Sequence, residues 1–307
     1  MLSNIFQRDG PMAYVPTIRG RRLARELRQA REGLGLTGEL AAQRLGWNQA
    51  KISRIETAKM RATVGEVMEL CEAYKIAGSR REELITLARE AKKQGWWHSY
   101  LSVLKSGFGD YLEFESEADQ YRSHDVHLIP GLFQTEAYAR AVFRTSTALT
   151  TPEEIDRAVE ARLARQKRLT SSERPLRVSQ IIEEGALRRV IGTYRTMREQ
   201  LRHLIELAQL PNVEVQIASY RSTNHVAFDG PFTLLHFADY PDVLYVEHFM
   251  GCQYYEKPEE TAHGSVVLER LRRSALNPSD SIALIRQVIE EMPDEPEGRP
   301  GDDGFPA

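Results

Sequence analysis

At 307 residues the chain is long enough for two domains, and its formal charge of −3 hides an asymmetry: residues 1–92 hold 17 Lys and Arg against 11 Asp and Glu, the remainder 24 against 33. A basic front on an acidic body suits a nucleic-acid-binding head joined to a domain with another task. Two cysteines, Cys71 and Cys252, argue against a disulfide framework, and with no apolar run long enough to span a bilayer and no secretory signal the chain is expected in the cytoplasm, at the nucleoid.

Residues 1–17 carry no strong period and contain Gly10, Pro11 and Pro16, so they are expected to form a flexible arm. Arginines surround Leu23 and Leu27 in the amphipathic helix that follows. Residues 37–56 read as two short helices joined by a tight turn. Thr37 caps the first, whose inward face is Leu40, Ala41 and Leu45. Gly46 ends it, because glycine takes a left-handed position at little steric cost. Asn48 caps the second, whose Ile52 and Ile55 point back at the first. Gln49, Ala50, Lys51, Ser53 and Arg54 are left outside. Amides and cations suit base edges and phosphates, and a helix fits the major groove, so the pattern predicts a helix-turn-helix with a recognition helix over 49–56. An ordinary corner between two helices is the bland alternative. The arginine-bearing first helix and two further amphipathic segments, 64–74 and 82–92, weigh against it.

By their chemistry, Gln49 and Arg54 are the expected base contacts, since glutamine pairs with adenine and arginine with guanine, while Ala50 suits a thymine methyl. Asn48, Lys51, Ser53, Lys59 and Arg61 are expected to hold phosphates. The residues Leu27-Arg28 with Arg31, Leu36-Thr37 with Glu39-Leu40-Ala41, and Gln49 with Lys51-Ile52-Ser53-Arg54-Ile55-Glu56 are similar to those of Xre-family regulators. The resemblance implies an all-α, five-helix, lambda-repressor-like DNA-binding domain over residues 18–93. Three positions depart from that family: Gly38 stands where glutamine is common, Ala58 where glycine follows the recognition helix, and Ala62 where proline is frequent.

Beyond residue 93 the composition changes. Trp96 and Trp97 cannot share one helix face and are expected to lock the head's last helix against the next domain. Residues 110–121 read as a helix with acidic positions and 136–144 as another. Thr151-Pro152-Glu153-Glu154 is a capping box that opens a helix to about residue 169. Its outer face carries Arg157, Arg162, Arg165, Lys167 and Arg168, interleaved with Asp156 and Glu160 as on a solvated face. Strands are expected over 176–182, 213–217, 232–237 and 243–249, with a further one over 251–255, and a helix over 196–210. Two helices, 258–275 and 278–291, close the domain. Residues 292–307, rich in Pro, Gly, Asp and Glu, are expected to be disordered. The fold class is therefore α+β overall: an all-α head followed by a mixed α/β domain over 94–291.

This second region resembles the DUF5753 domain found behind Xre-type heads in actinobacterial regulators. The phrases that carry the likeness are Gly95-Trp96-Trp97, Ile129-Pro130-Gly131-Leu132-Phe133-Gln134-Thr135, Ala161-Arg162-Leu163-Ala164-Arg165-Gln166, Glu183-Glu184-Gly185-Ala186-Leu187 and Gly230-Pro231-Phe232. The resemblance implies regulators of development and secondary metabolism, often encoded beside a small acidic BldB-like partner protein, and it implies no catalytic motif.

The residues themselves give little chemistry. His225, Asp229, His236, Glu247 and His248 cluster in the strand region, but their spacing is irregular and no HxxxH or CxxC pair fixes two ligands on one face. Glu183 and Glu184 are adjacent, and neighbours on a strand point to opposite faces. The chain is expected to be no enzyme and to need no cofactor. The domain is expected to sense a small molecule or to dock a small protein, and to dimerise so that two heads meet a palindromic operator. The alternative is an antitoxin-like module that neutralises a small acidic partner and binds DNA for autoregulation.

Overall fold

The computed structural model describes residues 17–93, 95–105, 107–222, 230–248 and 251–294. The arm expected over residues 1–17, apart from Thr17, and the tail beyond Asp294 lie outside them. The described residues fall into two compact units, one within Met1–Ser99 and Ser106–Glu117, the other within Tyr100–Lys105 and Ala118–Ala307.

In the first unit, five helices succeed one another: α1 (Ile18–Gly33), α2 (Gly38–Leu45), α3 (Gln49–Glu56), α4 (Val64–Ala73) and α5 (Gly78–Glu90). Side-chain oxygens of Thr17, Thr37, Asn48 and Thr63 satisfy amide donors in the first turns of α1 to α4. Leu23, Leu27, Ala41, Ile52, Ile55, Val67, Leu70 and Leu84 form one buried cluster, and Cys71 packs within it. A sixth helix, α6 (Phe108–Glu117), joins this unit. Glu113 Oε1 accepts the Ile18 amide at 3.0 Å, Arg19 pairs with Glu117 at 2.9 Å, and the Arg21 guanidinium lies 5.1 Å from the Phe114 ring centroid. The expected head limit at residue 93 therefore falls inside a larger set of contacts. Trp97 is buried, and its ring crosses the place a side chain on Gly95 would occupy.

Two expectations for these helices are corrected. Leu40, expected on the inward face of α2, is 47% exposed. The stripe that meets α3 is Ala41 and Ala42 with Leu45 at its margin, and Leu40 lies one residue off it. The helix expected over 110–121 stops at Glu117, and Gln120 opens a strand.

That strand, β1 (Gln120–Asp125), lies inside a six-stranded sheet of order β3-β2-β1-β4-β5-β6. Its partners are β2 (Arg177–Glu183), β3 (Val213–Ala218), β4 (Phe232–His236), β5 (Val243–His248) and β6 (Gly251–Tyr255). β1, β2 and β3 run parallel, and each later strand is antiparallel to its neighbour. The helices of this unit are α7 (Glu136–Arg144), α8 (Pro152–Gln166), the short α9 (Glu184–Arg188), α10 (Tyr194–Leu207), α11 (Pro258–Ser274) and α12 (Pro278–Glu291). The capping box that opens α8 forms as its residues require, with Thr151 Oγ1 accepting the Glu154 amide and Glu154 accepting the Thr151 amide.

α11 packs Leu268 and Leu271 onto one sheet face, against Ile181 of β2, Ala218 of β3 and Leu234 of β4. The outer edge of β3 is closed by the α11–α12 connection. Ile217 N–H donates to Ser281 Oγ at 2.9 Å, and Leu276 N–H donates to the Ile217 carbonyl at 2.9 Å. A side chain on Gly131 would meet the guanidinium ends of Arg162 and Arg165 of α8, which would have to shift, and Gln166 Nε2 donates to the Gly131 and Gln134 carbonyls. Arg162 Nη1 donates to Gln134 Oε1 at 2.8 Å and Arg165 is buried, so these two do not stand on the solvated face expected of the whole set.

Candidate nucleic-acid interface

The corner between α2 and α3 is built by local rules. Thr37 Oγ1 accepts the Leu40 amide at 3.2 Å, Gly46 takes φ 65° where α2 ends, and Asn48 Oδ1 accepts the Ala50 amide at 2.7 Å. The inner side of α3 is fixed by Ile52 and Ile55, both buried. Gln49, Ala50, Ser53 and Arg54 are exposed on the opposite side. Arg54 Nε lies along its own helix, 3.3 Å from the Ala50 carbonyl, and its planar fork remains at the surface.

Lys59 and Arg61, in the connection to α4, are also exposed, and no described carboxylate pairs with either. Asn48 is exposed too, although its carbonyl oxygen is occupied by the cap. Lys51 differs from these. Its Nζ lies 2.7 Å from Glu66 Oε1 and 3.7 Å from the centroid of the Trp47 ring.

Sequence reasoning missed the group that holds the far end of α3. Glu56 is 7% exposed, its carboxylate accepts Arg31 Nε at 3.0 and 2.9 Å, and Tyr74 donates its hydroxyl to Glu56 Oε1 at 2.8 Å. Arg31 also donates to the Leu36 carbonyl. A glutamate that follows an isoleucine in a short helix gives no sign of its partner, because Arg31 lies twenty-five positions earlier.

Ala58 follows α3 with φ 53°, the left-handed conformation that glycine fills at less cost. Lys75 follows α4 with φ 55°. A side chain built at Gly38 would meet only Gln49 Cγ, at 3.9 Å, so that position opens directly onto a surface residue of α3.

The second unit contains a buried polar row. Gln180, Ser123, Thr233 and Tyr245 stand opposite one another across β2, β1, β4 and β5. Asp125 accepts Ser123 Oγ at 2.7 Å and Gln180 Nε2 at 2.9 Å, and burial pushes its carboxyl up. On the other sheet face the fully buried His124 places Nε2 2.7 Å from Glu183 Oε1. The adjacent Glu184 serves a different site, accepting Arg188 Nε, Ser219 Oγ and the Tyr220 amide. The two neighbouring carboxylates therefore diverge.

Of the five residues considered as metal ligands, His225 and Asp229 lie outside the described residues. His236 pairs with Asp242 at 2.8 Å and Glu247 with Lys105 at 2.6 Å, while His248 ends β5 at the surface. Among the described residues no three His, Cys, Asp or Glu side chains come together as metal ligands would. Cys252 stands beside Tyr254, its Sγ 3.8 Å from the hydroxyl. An open depression of about 350 Å³ lies against α11, lined by Leu244, Tyr255, Glu259, Glu260 and His263. No helix among the described residues is long and apolar enough to cross a membrane.

Two family models match the chain. One, described as a helix-turn-helix domain, matches residues 22–84. The other, described as a domain of unknown function (DUF5753), matches residues 108–287. No curated protein and no solved structure matches it.

Proposed function

We propose a function that starts from membership: the chain belongs to the DUF5753 family and carries a helix-turn-helix domain in front of that region. On this reading it is a sequence-specific, DNA-binding transcriptional regulator of the Xre type, its head built on the lambda-repressor-like plan, from an actinobacterial lineage. One observation carries the reading. α3 is capped, locked from behind by Ile52, Ile55 and Glu56, and offers Gln49, Ala50, Ser53 and Arg54 outward. That is the arrangement a major-groove helix needs, with polar groups fixed in position on a rigid element.

Gln49 and Arg54 contact base edges and Ala50 meets a thymine methyl. Asn48, Ser53, Lys59 and Arg61 hold phosphates. One such helix covers few base pairs, so two chains act together on a palindromic operator, held by their second domains. That domain is no enzyme. It receives a signal, either a small molecule or a small acidic BldB-like protein, and the protein works in the cytoplasm at the nucleoid. The antitoxin-like alternative shares the DNA contact and differs only in which partner matters most.

Footprinting with the full chain, beside analytical ultracentrifugation at micromolar concentration, tests the reading. The expected result is a dimer protecting two half-sites about one helical turn apart. A strict monomer protecting one half-site removes the dimer, and no protected site at all removes the regulator.

A further inference from the structure

Lys51 stands among the residues whose chemistry suits a phosphate, yet its side chain is turned away from that task. Its ammonium is 2.7 Å from Glu66 Oε1, in the first turn of α4, and 3.7 Å from the centroid of Trp47, in the turn between α2 and α3. The other oxygen of Glu66 is also committed, accepting the Thr63 amide at 2.7 Å and the Thr63 hydroxyl at 2.9 Å. Burial raises the Glu66 carboxyl, but the hydrogen bonds from Lys51 and Thr63 outweigh it and hold the group below the usual carboxylate range. Trp47 itself packs against the helical core. Three elements therefore converge on one ammonium group: the turn through Trp47, α3 through Lys51, and α4 through Glu66.

We propose that Lys51 is a positioning residue for the recognition helix and that Glu66 is its partner, so that the pair sets how α3 is presented rather than adding a phosphate contact. This rests on the DNA-binding reading given above. To reach a phosphate, Lys51 would have to leave both the carboxylate and the ring, and Glu66 Oε1 would lose its cation. A fixed α3 acts on the alignment of Gln49 and Arg54 with base edges, which is worth more at the cognate sequence than at a random one.

The test uses the full chain and fluorescence anisotropy with a selected operator and a scrambled duplex, over a series of salt concentrations. The variants are Lys51→Met, Lys51→Arg, Glu66→Gln and the double change Lys51→Met with Glu66→Gln, all read well below their melting temperatures. Lys51→Met and Glu66→Gln are each expected to lower the operator-to-scrambled affinity ratio roughly five- to tenfold. The double change is expected to lose no more than either single one, because the two side chains act as one unit. Lys51→Arg, which keeps the pairing, keeps the ratio.

If Lys51 instead contacts phosphate and Glu66 merely holds it back, Glu66→Gln tightens binding to both duplexes and steepens the salt dependence by about one unit of slope. That result overturns the proposal, as do additive losses in the double variant or an unchanged ratio in both singles. Wild-type protein that does not discriminate between the duplexes would instead count against the DNA-binding reading itself.

Discussion

Arg31 sets its Nε 3.0 and 2.9 Å from the two carboxylate oxygens of Glu56, joining α1 to the last residue of α3 at a buried site. Tyr74 completes the group from the end of α4; burial and the nearby carboxylate push its hydroxyl far up, so it remains protonated and donates. Removing one member of a buried ion pair costs more than the pair contributes, because the other charge is left uncompensated. Arg31→Ala is therefore expected to destabilise the helical unit by about 3–5 kcal/mol. Denaturant unfolding of the full chain, followed by circular dichroism, reads this, and a loss below about 1 kcal/mol would place the pair among surface bridges.

Ala58 holds φ 53° just beyond Thr57, the residue that caps the end of α3, a conformation that costs an alanine about 1 kcal/mol relative to glycine. Ala58→Gly should therefore raise the melting temperature of the first unit. Gly38→Gln has room, since only Gln49 Cγ lies near, and the new side chain would rest on that residue. Together the two changes should tighten operator binding at fixed salt. Weaker or unchanged binding would mean that Gly38 and Ala58 suit this protein as they stand.

Glu113 gives the first unit a pH dependence. Burial, opposed in part by the Ile18 amide and Arg19 and reinforced by Glu117 and Asp110, pushes its carboxyl from 4.5 up to about 7. A folded-state value above the unfolded one means that the protonated form is favoured in the fold. The associated stability is fully present below about pH 4.5 and is lost as pH rises through about 7. Between pH 5 and 8 the wild-type melting temperature should fall more steeply than that of Glu113→Gln, whose amide oxygen still accepts from Ile18. Equal slopes for the two proteins would exclude Glu113 as the source.

The helix-turn-helix was legible because its signals are local: a cap at Thr37, a glycine at position 46, a cap at Asn48, and isoleucines one turn apart. Leu40 misled because a hydrophobic residue on an eight-residue helix can fall one step outside the packed stripe. β1 was hidden for a different reason. Its residues Gln120-Tyr121-Arg122-Ser123-His124-Asp125 look solvent-facing on both sides, yet Ser123 and His124 are buried because neighbouring strands supply their hydrogen-bond partners. A period-two search finds strands that alternate in polarity and overlooks one whose polar groups are satisfied inside. Arg31–Glu56 and Lys51–Glu66 were invisible because both pairings cross between helices, and no spacing rule reaches that far.

Selection of bound sequences from random DNA, run in parallel with wild-type protein and with Arg54→Ala and Lys59→Ala, tests the assignment of α3 most directly. Wild type should enrich a palindromic motif. Arg54→Ala should lose about 1–3 kcal/mol at that motif and relax base preference at one position in each half-site. Lys59→Ala should weaken all sequences alike and lower the salt slope by about one. If Arg54→Ala selects the wild-type motif and binds it as tightly, α3 is not the helix that reads DNA.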